Sequence, residues 1–96
     1  MSDIISTAVS ALTEKLGGEG FDATAKFVLG DEGSLIVDEN GVRAGDDDAD
    51  VTLTADVDTF EQILTGDLNP TGAFMSGKLT IDGDMSAAMR LASVLA

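Results

Sequence analysis

Apolar residues recur along the chain at two spacings, and each change of spacing marks a new element. Ile5, Ala8, Val9, Leu12 and Leu16 follow a helical period while Ser6, Ser10, Thr13 and Glu14 take the other side. This predicts a helix capped at Ser2 and stopped by Gly17-Gly18. From Phe21 the period becomes two: Phe21, Ala23, Ala25, Phe27 and Leu29 alternate with Asp22, Thr24 and Lys26, as in a strand with one wet face. Gly30-Asp31-Glu32-Gly33 forms a turn and Leu35-Ile36-Val37 a second strand. Asn40-Gly41 is a hairpin signal leading to a third strand around Val42 to Ala44. Val51, Leu53 and Ala55 alternate with Thr52 and Thr54 in a fourth. Asp58, with Glu61 three residues on, predicts a capping box opening a helix that turns Phe60, Ile63 and Leu64 inward and ends at Gly66. Asn69 caps a short helix with Pro70 in its first turn, closed by Gly77. Lys78 to Asp82 then places Leu79 and Ile81 on one face of a strand, Gly83 turns the chain, and Asp84 caps a last helix from Met85. Short strands bracketed by helices define an α+β class with a single sheet.

Ninety-six residues make one domain, 1–96, small enough that every large apolar side chain matters to the core. With four Phe, no Trp and no Tyr, that core is filled by Leu, Ile, Val, Ala and Met. Eighteen acidic residues against five basic ones give a charge of −13, which opposes binding to nucleic acid or to anionic membranes. The balance suits a soluble cytoplasmic protein. No apolar run is long enough to span a bilayer, and no basic segment precedes an apolar one at the start of the chain, so neither a membrane span nor a signal peptide is expected.

Catalytic chemistry has little to draw on. The absence of Cys and His removes thiol nucleophiles, thiolate metal sites and the commonest general base. Gly72 to Lys78 fits G-x-x-x-x-G-K, but Leu79 stands where a magnesium site needs Ser or Thr, and the segment has a helix before it and a strand after it, the reverse of a P-loop. Asp46, Asp48 and Asp50 have the spacing of the first ligands of a calcium loop. Val51 replaces the glycine such a loop needs and Val57 its closing glutamate, so the run reads as a solvated connection. No metal, no cofactor and no enzyme activity are expected.

The last helix carries the positive signal. From Met85 to Ala96 only Ser86, Arg90 and Ser93 are polar, leaving an apolar arc wider than contact with a sheet requires. A second apolar object is expected against it, either a ligand or another protein surface. Met75, Met85 and Met89 fall in the same quarter of the chain, and methionine adapts to irregular apolar neighbours.

The run Gly66-Asp67-Leu68-Asn69-Pro70, then Ala73 to Leu79, then Gly83-Asp84-Met85, resembles the sterol carrier protein 2 family, as do Asp50 to Thr54 and Thr59-Phe60. The chain is similar to stand-alone, bacterial-type members over nearly its whole length. The resemblance implies a five-stranded, mostly antiparallel sheet covered by helices and enclosing an apolar tunnel for fatty acyl chains, fatty acyl-CoA or sterol- and isoprenoid-like lipids. Phe60, Ile63, Leu64, Phe74 and Met75 would line it, Leu79 and Ile81 form its floor, and Met85, Met89, Ala92 and Leu95 its mobile lid. Two alternatives stay open: an accessory factor presenting a polyprenyl or quinone precursor to an enzyme, and an interaction module whose terminal helix pairs with a partner or a second copy. The acidic charge departs from the basic character of familiar animal members and argues against stable membrane insertion and against transfer by membrane collision.

Co-sedimentation with anionic phospholipid vesicles should be negligible at low ionic strength, where attraction is least screened. Strong sedimentation that salt abolishes would reveal a basic patch the composition does not suggest.

Overall fold

The structure is a computed structural model that describes residues 3–17 and 20–95, with side chains for 4–17 and 20–94. The expected cap at Ser2 therefore lies outside the described residues. Four helices and five strands follow one another as α1 (Asp3–Lys15), β1 (Ala25–Leu29), β2 (Ser34–Asp38), β3 (Gly41–Ala44), β4 (Val51–Ala55), α2 (Val57–Thr65), α3 (Pro70–Met75), β5 (Thr80–Gly83) and α4 (Met85–Leu95). The sheet runs β3-β2-β1-β4-β5, antiparallel throughout except for the central parallel pair β1–β4. The expected mostly antiparallel five-stranded sheet is thus present.

Register explains the two layers. Ala25, Phe27 and Leu29 align with Val51, Leu53 and Ala55 on one side, and Ala25 and Phe27 with Val37 and Leu35 on the other. All eight are buried on one face. Against it pack Ile5, Ala8, Leu12 and Leu16 of α1, Phe60 and Ile63 of α2, Ala73 of α3, and Ala87, Ala88 and Leu91 of α4. The helices therefore share one side of the sheet.

The reverse face is crossed by residues 45–50, which carry the chain from the β3 edge over to β4. Gly45 exchanges hydrogen bonds with Ser34, its N–H donating to the Ser34 carbonyl and its carbonyl accepting from the Ser34 hydroxyl. A Cβ on Gly45 would stand 3.4 Å from Cγ1 of Ile36, which is wholly buried beneath this connection. Lys26 Nζ lies 3.0 Å from Asp46, and Arg43 pairs with Asp38 and Asp47. The aspartate run is thus a strap over the sheet as well as a solvated connection.

Three boundaries move from their expected places. Residues 21–24 do not join the sheet: the Phe21 N–H donates to the Asp38 carbonyl, and Thr24 is held by Asp50. Helix α2 begins two residues early, because the extended Asp56 accepts the Thr59 N–H at 2.8 Å and caps it. Val57 can then pack against the core, while Asp58 sits in the first turn, where its charge favours the helix N-terminus, and the Asp58–Glu61 capping box does not form. Strand β5 starts late because the N–H groups of Lys78 and Leu79 both return to the Ala73 carbonyl to close α3. The caps at Asn69 and Asp84 stand as expected.

Gly83 is pinned at the sheet edge. Its φ is 112°, and a Cβ there would meet the Asp50 carbonyl oxygen at 2.5 Å. Gly83→Ala should cost about 2–4 kcal/mol through strain and overpacking. Gly72→Ala, whose Cβ would find only an ordinary 3.9 Å contact, should be neutral or stabilising by up to about 1 kcal/mol. Denaturant melts compare the two, and equal destabilisation would contradict this packing.

Candidate functional site

Helix α2 divides the apolar layer into two spaces. Its 60-63-64 spacing sends Phe60 and Ile63 into the core and leaves Leu64 half-buried. Phe60 stands edge-on to Phe27 of β1, with ring centroids 5.2 Å apart and planes at 62°. The arrangement directs a ring edge toward a π face and adds about 0.5–1.5 kcal/mol to burial.

On one side of this ring pair, a groove of about 350 Å³ opens between α1 and α2, walled by Ile4, Ala8, Ala11, Val57, Phe60 and Leu64. Thr7, Thr65 and Glu61 supply its polar groups. On the other side, beneath α3 and α4, Phe27, Leu53, Ile63, Leu79, Ile81 and Ala88 enclose about 20 Å³. Small-ligand sites typically measure about 300–1,000 Å³. The groove reaches that range and the inner space does not.

The expected site residues divide accordingly. Ile63, Phe74, Leu79, Ile81, Met89 and Ala92 surround the inner space, and Phe60 and Leu64 line the groove. Met75 and Met85 line neither, at 80% and 44% exposure, so the inward orientation expected of them is not found. Phe74 and Met89 reach the inner space while remaining about half exposed. The side chain of Leu95 lies outside the described residues. Sequence reasoning missed the α1 wall of the groove. Ile4, Thr7, Ala8 and Ala11 do recur at helical spacing, a second stripe beside the one that packs on the sheet.

The electrostatics of this region are acidic. Asp56, capping α2 beside Val57, has its carboxyl pKa lowered first by the Thr59 N–H, then by the Thr59 hydroxyl and by Lys78. Among the described residues, Glu61 is the one ionisable side chain in the groove lining. The G-x-x-x-x-G-K segment holds α3 followed by β5, so its glycines form no phosphate loop between a strand and a helix.

A third, polar hollow of about 320 Å³ lies among residues 21–24, Asp38, Glu39, Asn40 and Asp50. Its acidic lining offers no apolar surface comparable to the groove.

Comparison with known proteins gives a consistent result. The model of the SCP-2 sterol transfer family matches residues 6–96. The chain is 35% identical to the hydroxysteroid dehydrogenase-like protein 2 of Xenopus tropicalis over 96 residues, covering 92% of this chain and 23% of that protein. It spans similarly small shares of the Danio rerio and Xenopus laevis proteins of that name, 21% and 19%. Sterol carrier protein 2 from Yarrowia lipolytica, in its apo form, aligns with a TM-score of 0.68 at 26% identity, covering 97% of this chain and 84% of that one. The Aedes aegypti sterol carrier protein 2 in complex with the C16 fatty acid palmitate aligns with a TM-score of 0.77 at 22% identity, covering 100% and 97%. At that identity the second likeness concerns the fold.

Truncation separates wall from surface. Phe60→Ala should cost about 3–5 kcal/mol, whereas Met75→Ala should change stability by no more than about 0.5 kcal/mol. Equally small losses in denaturant melts would mean that the Phe60 ring is not seated on Phe27.

Proposed function

Because this chain belongs to the SCP-2 sterol transfer family, we propose that it binds and carries hydrophobic molecules without transforming them. The observation that carries this reading is the apolar groove between α1 and α2, which is large enough for a lipid chain. It stands beside a smaller apolar space under a cover of exposed, adaptable Phe74 and Met89. The palmitate complex of the Aedes aegypti relative supports an acyl chain as one class of occupant, and the family's description supports sterol-like ones.

Burial supplies the affinity. Each methylene removed from water contributes about 0.8 kcal/mol, so ten to fourteen give roughly 8–11 kcal/mol before ordering costs. Micromolar binding follows without a specific polar contact. In this reading the chain enters beside Leu64, and its far end passes the Phe60–Phe27 pair as α3 and α4 give way. The expected lid role of Met89 and Ala92 belongs to that opening, and the tunnel is its open form.

Dehydrogenase chemistry is not carried over from the longer relatives. The matched part is less than a quarter of the Xenopus tropicalis protein, and a chain without His, Cys or Tyr lacks the commonest general base and any thiol or phenol. The exposed apolar side chains Phe74 and Met75 of α3 and Met85 and Met89 of α4 favour a second reading, in which the loaded domain presents its ligand to a partner enzyme.

An environment-sensitive fluorescent alkyl probe should titrate delipidated protein to saturation at one site with micromolar affinity. Leu64→Trp, which fills the groove from a half-buried position, should weaken binding at least about tenfold. Linear, unsaturable fluorescence in protein shown to be folded and lipid-free would overturn the carrier reading.

A further inference from the structure

Resting on that reading, we infer that the lipid this domain takes carries an uncharged head group. The inference follows from where the chain keeps its cations. Lys26 and Arg43 are paired with Asp46, Asp38 and Asp47 on the face of the sheet opposite the helices. Arg90 on α4 pairs with Asp22 at 3.3 Å. Lys78 acts on Asp56, and Lys15 closes α1 one turn beyond Ala11, outside the lining. None of the five lines the groove or the inner space.

The backbone donors at the starts of α2, α3 and α4 are committed as well. The ends of α2, α3 and α4 that could hold an anion are capped from within by Asp56, Asn69 and Asp84. The ionisable group at the groove is Glu61, with Asp56 and Asp58 at the start of the same helix, in a chain of net charge −13. A carboxylate or phosphate head placed here meets repulsion and, among the described residues of the lining, no cationic side chain. An ester or ketone can accept from the Thr7 hydroxyl, and a hydroxyl can donate to Glu61 or to the Thr65 oxygen, whose own proton goes to the Gln62 carbonyl and the Asp67 carboxylate. Sterols, isoprenoid alcohols and quinone-like lipids have such heads; free fatty acids and acyl-CoA do not.

The test pairs a fluorescent fatty acid with its own methyl ester, so that the buried chain is identical. Delipidated full-length protein is titrated with each at neutral pH and low ionic strength. The ester should bind about tenfold more tightly, and added salt should narrow the difference. Glu61→Lys, at an exposed position, should lower the ester-to-acid ratio by about tenfold or more, with Glu61→Gln intermediate. Saturable binding of both with equal affinity, or a ratio that Glu61→Lys leaves unchanged, overturns the inference while leaving the carrier reading intact. Saturable binding of neither overturns the carrier reading and the inference together.

Discussion

The edge-on contact between Phe60 and Phe27 ties α2 to the strand at the centre of the sheet, and the rest of the apolar layer is arranged around it. With four Phe, no Tyr and no Trp in the chain, this ring pair fills volume that small aliphatic side chains would leave open. It also fixes where the open volume lies. Helix α1 cannot close completely on α2, because its facing stripe is Ile4, Thr7, Ala8 and Ala11, two of them alanines. The groove thus follows from a large residue on one helix meeting small ones on the other.

Charge is organised around the same division. The aspartate run is folded onto the reverse face of the sheet, where Lys26 and Arg43 hold it down and Ile36 lies beneath it. The helical side keeps its polar groups at helix ends and outer surfaces, and its buried layer is almost wholly apolar: among described residues the single buried polar side chain is Thr59. A surface that repels anions therefore surrounds an interior that recruits by burial alone. In the carrier reading, this separation lets a small acidic domain bind apolar molecules without a basic anchor.

Much of this was legible in the sequence, and the exceptions have physical causes. The stripe Ile5, Ala8, Leu12, Leu16 and the alternation through β1 and β4 identified the core because each faces one buried side and one wet side. The start of α2 was ambiguous because Asp56 and Asp58 are both good caps, and only the packing of Val57 decides between them. The strap was hidden because a run with four aspartates in five residues looks solvated; the continuous run Leu35-Ile36-Val37 was the available sign that β2 is covered on both faces. At the site, periodicity placed Phe60, Ile63 and Leu64 correctly against apolar space. It could not place Met75 or Met85, since α3 is too short to define a face and α4 has apolar residues on nearly every side.

The claim that a lipid chain lies beside α2 is tested most directly by intermolecular nuclear Overhauser effects between a bound, isotope-labelled alkyl ligand and the protein methyl groups. The account predicts contacts from the ligand chain to Ile4, Ala8, Ala11 and Leu64, together with altered Phe60 ring shifts. Contacts confined at saturation to Met75 and Met85, with the α1 and α2 methyls unperturbed, would contradict it.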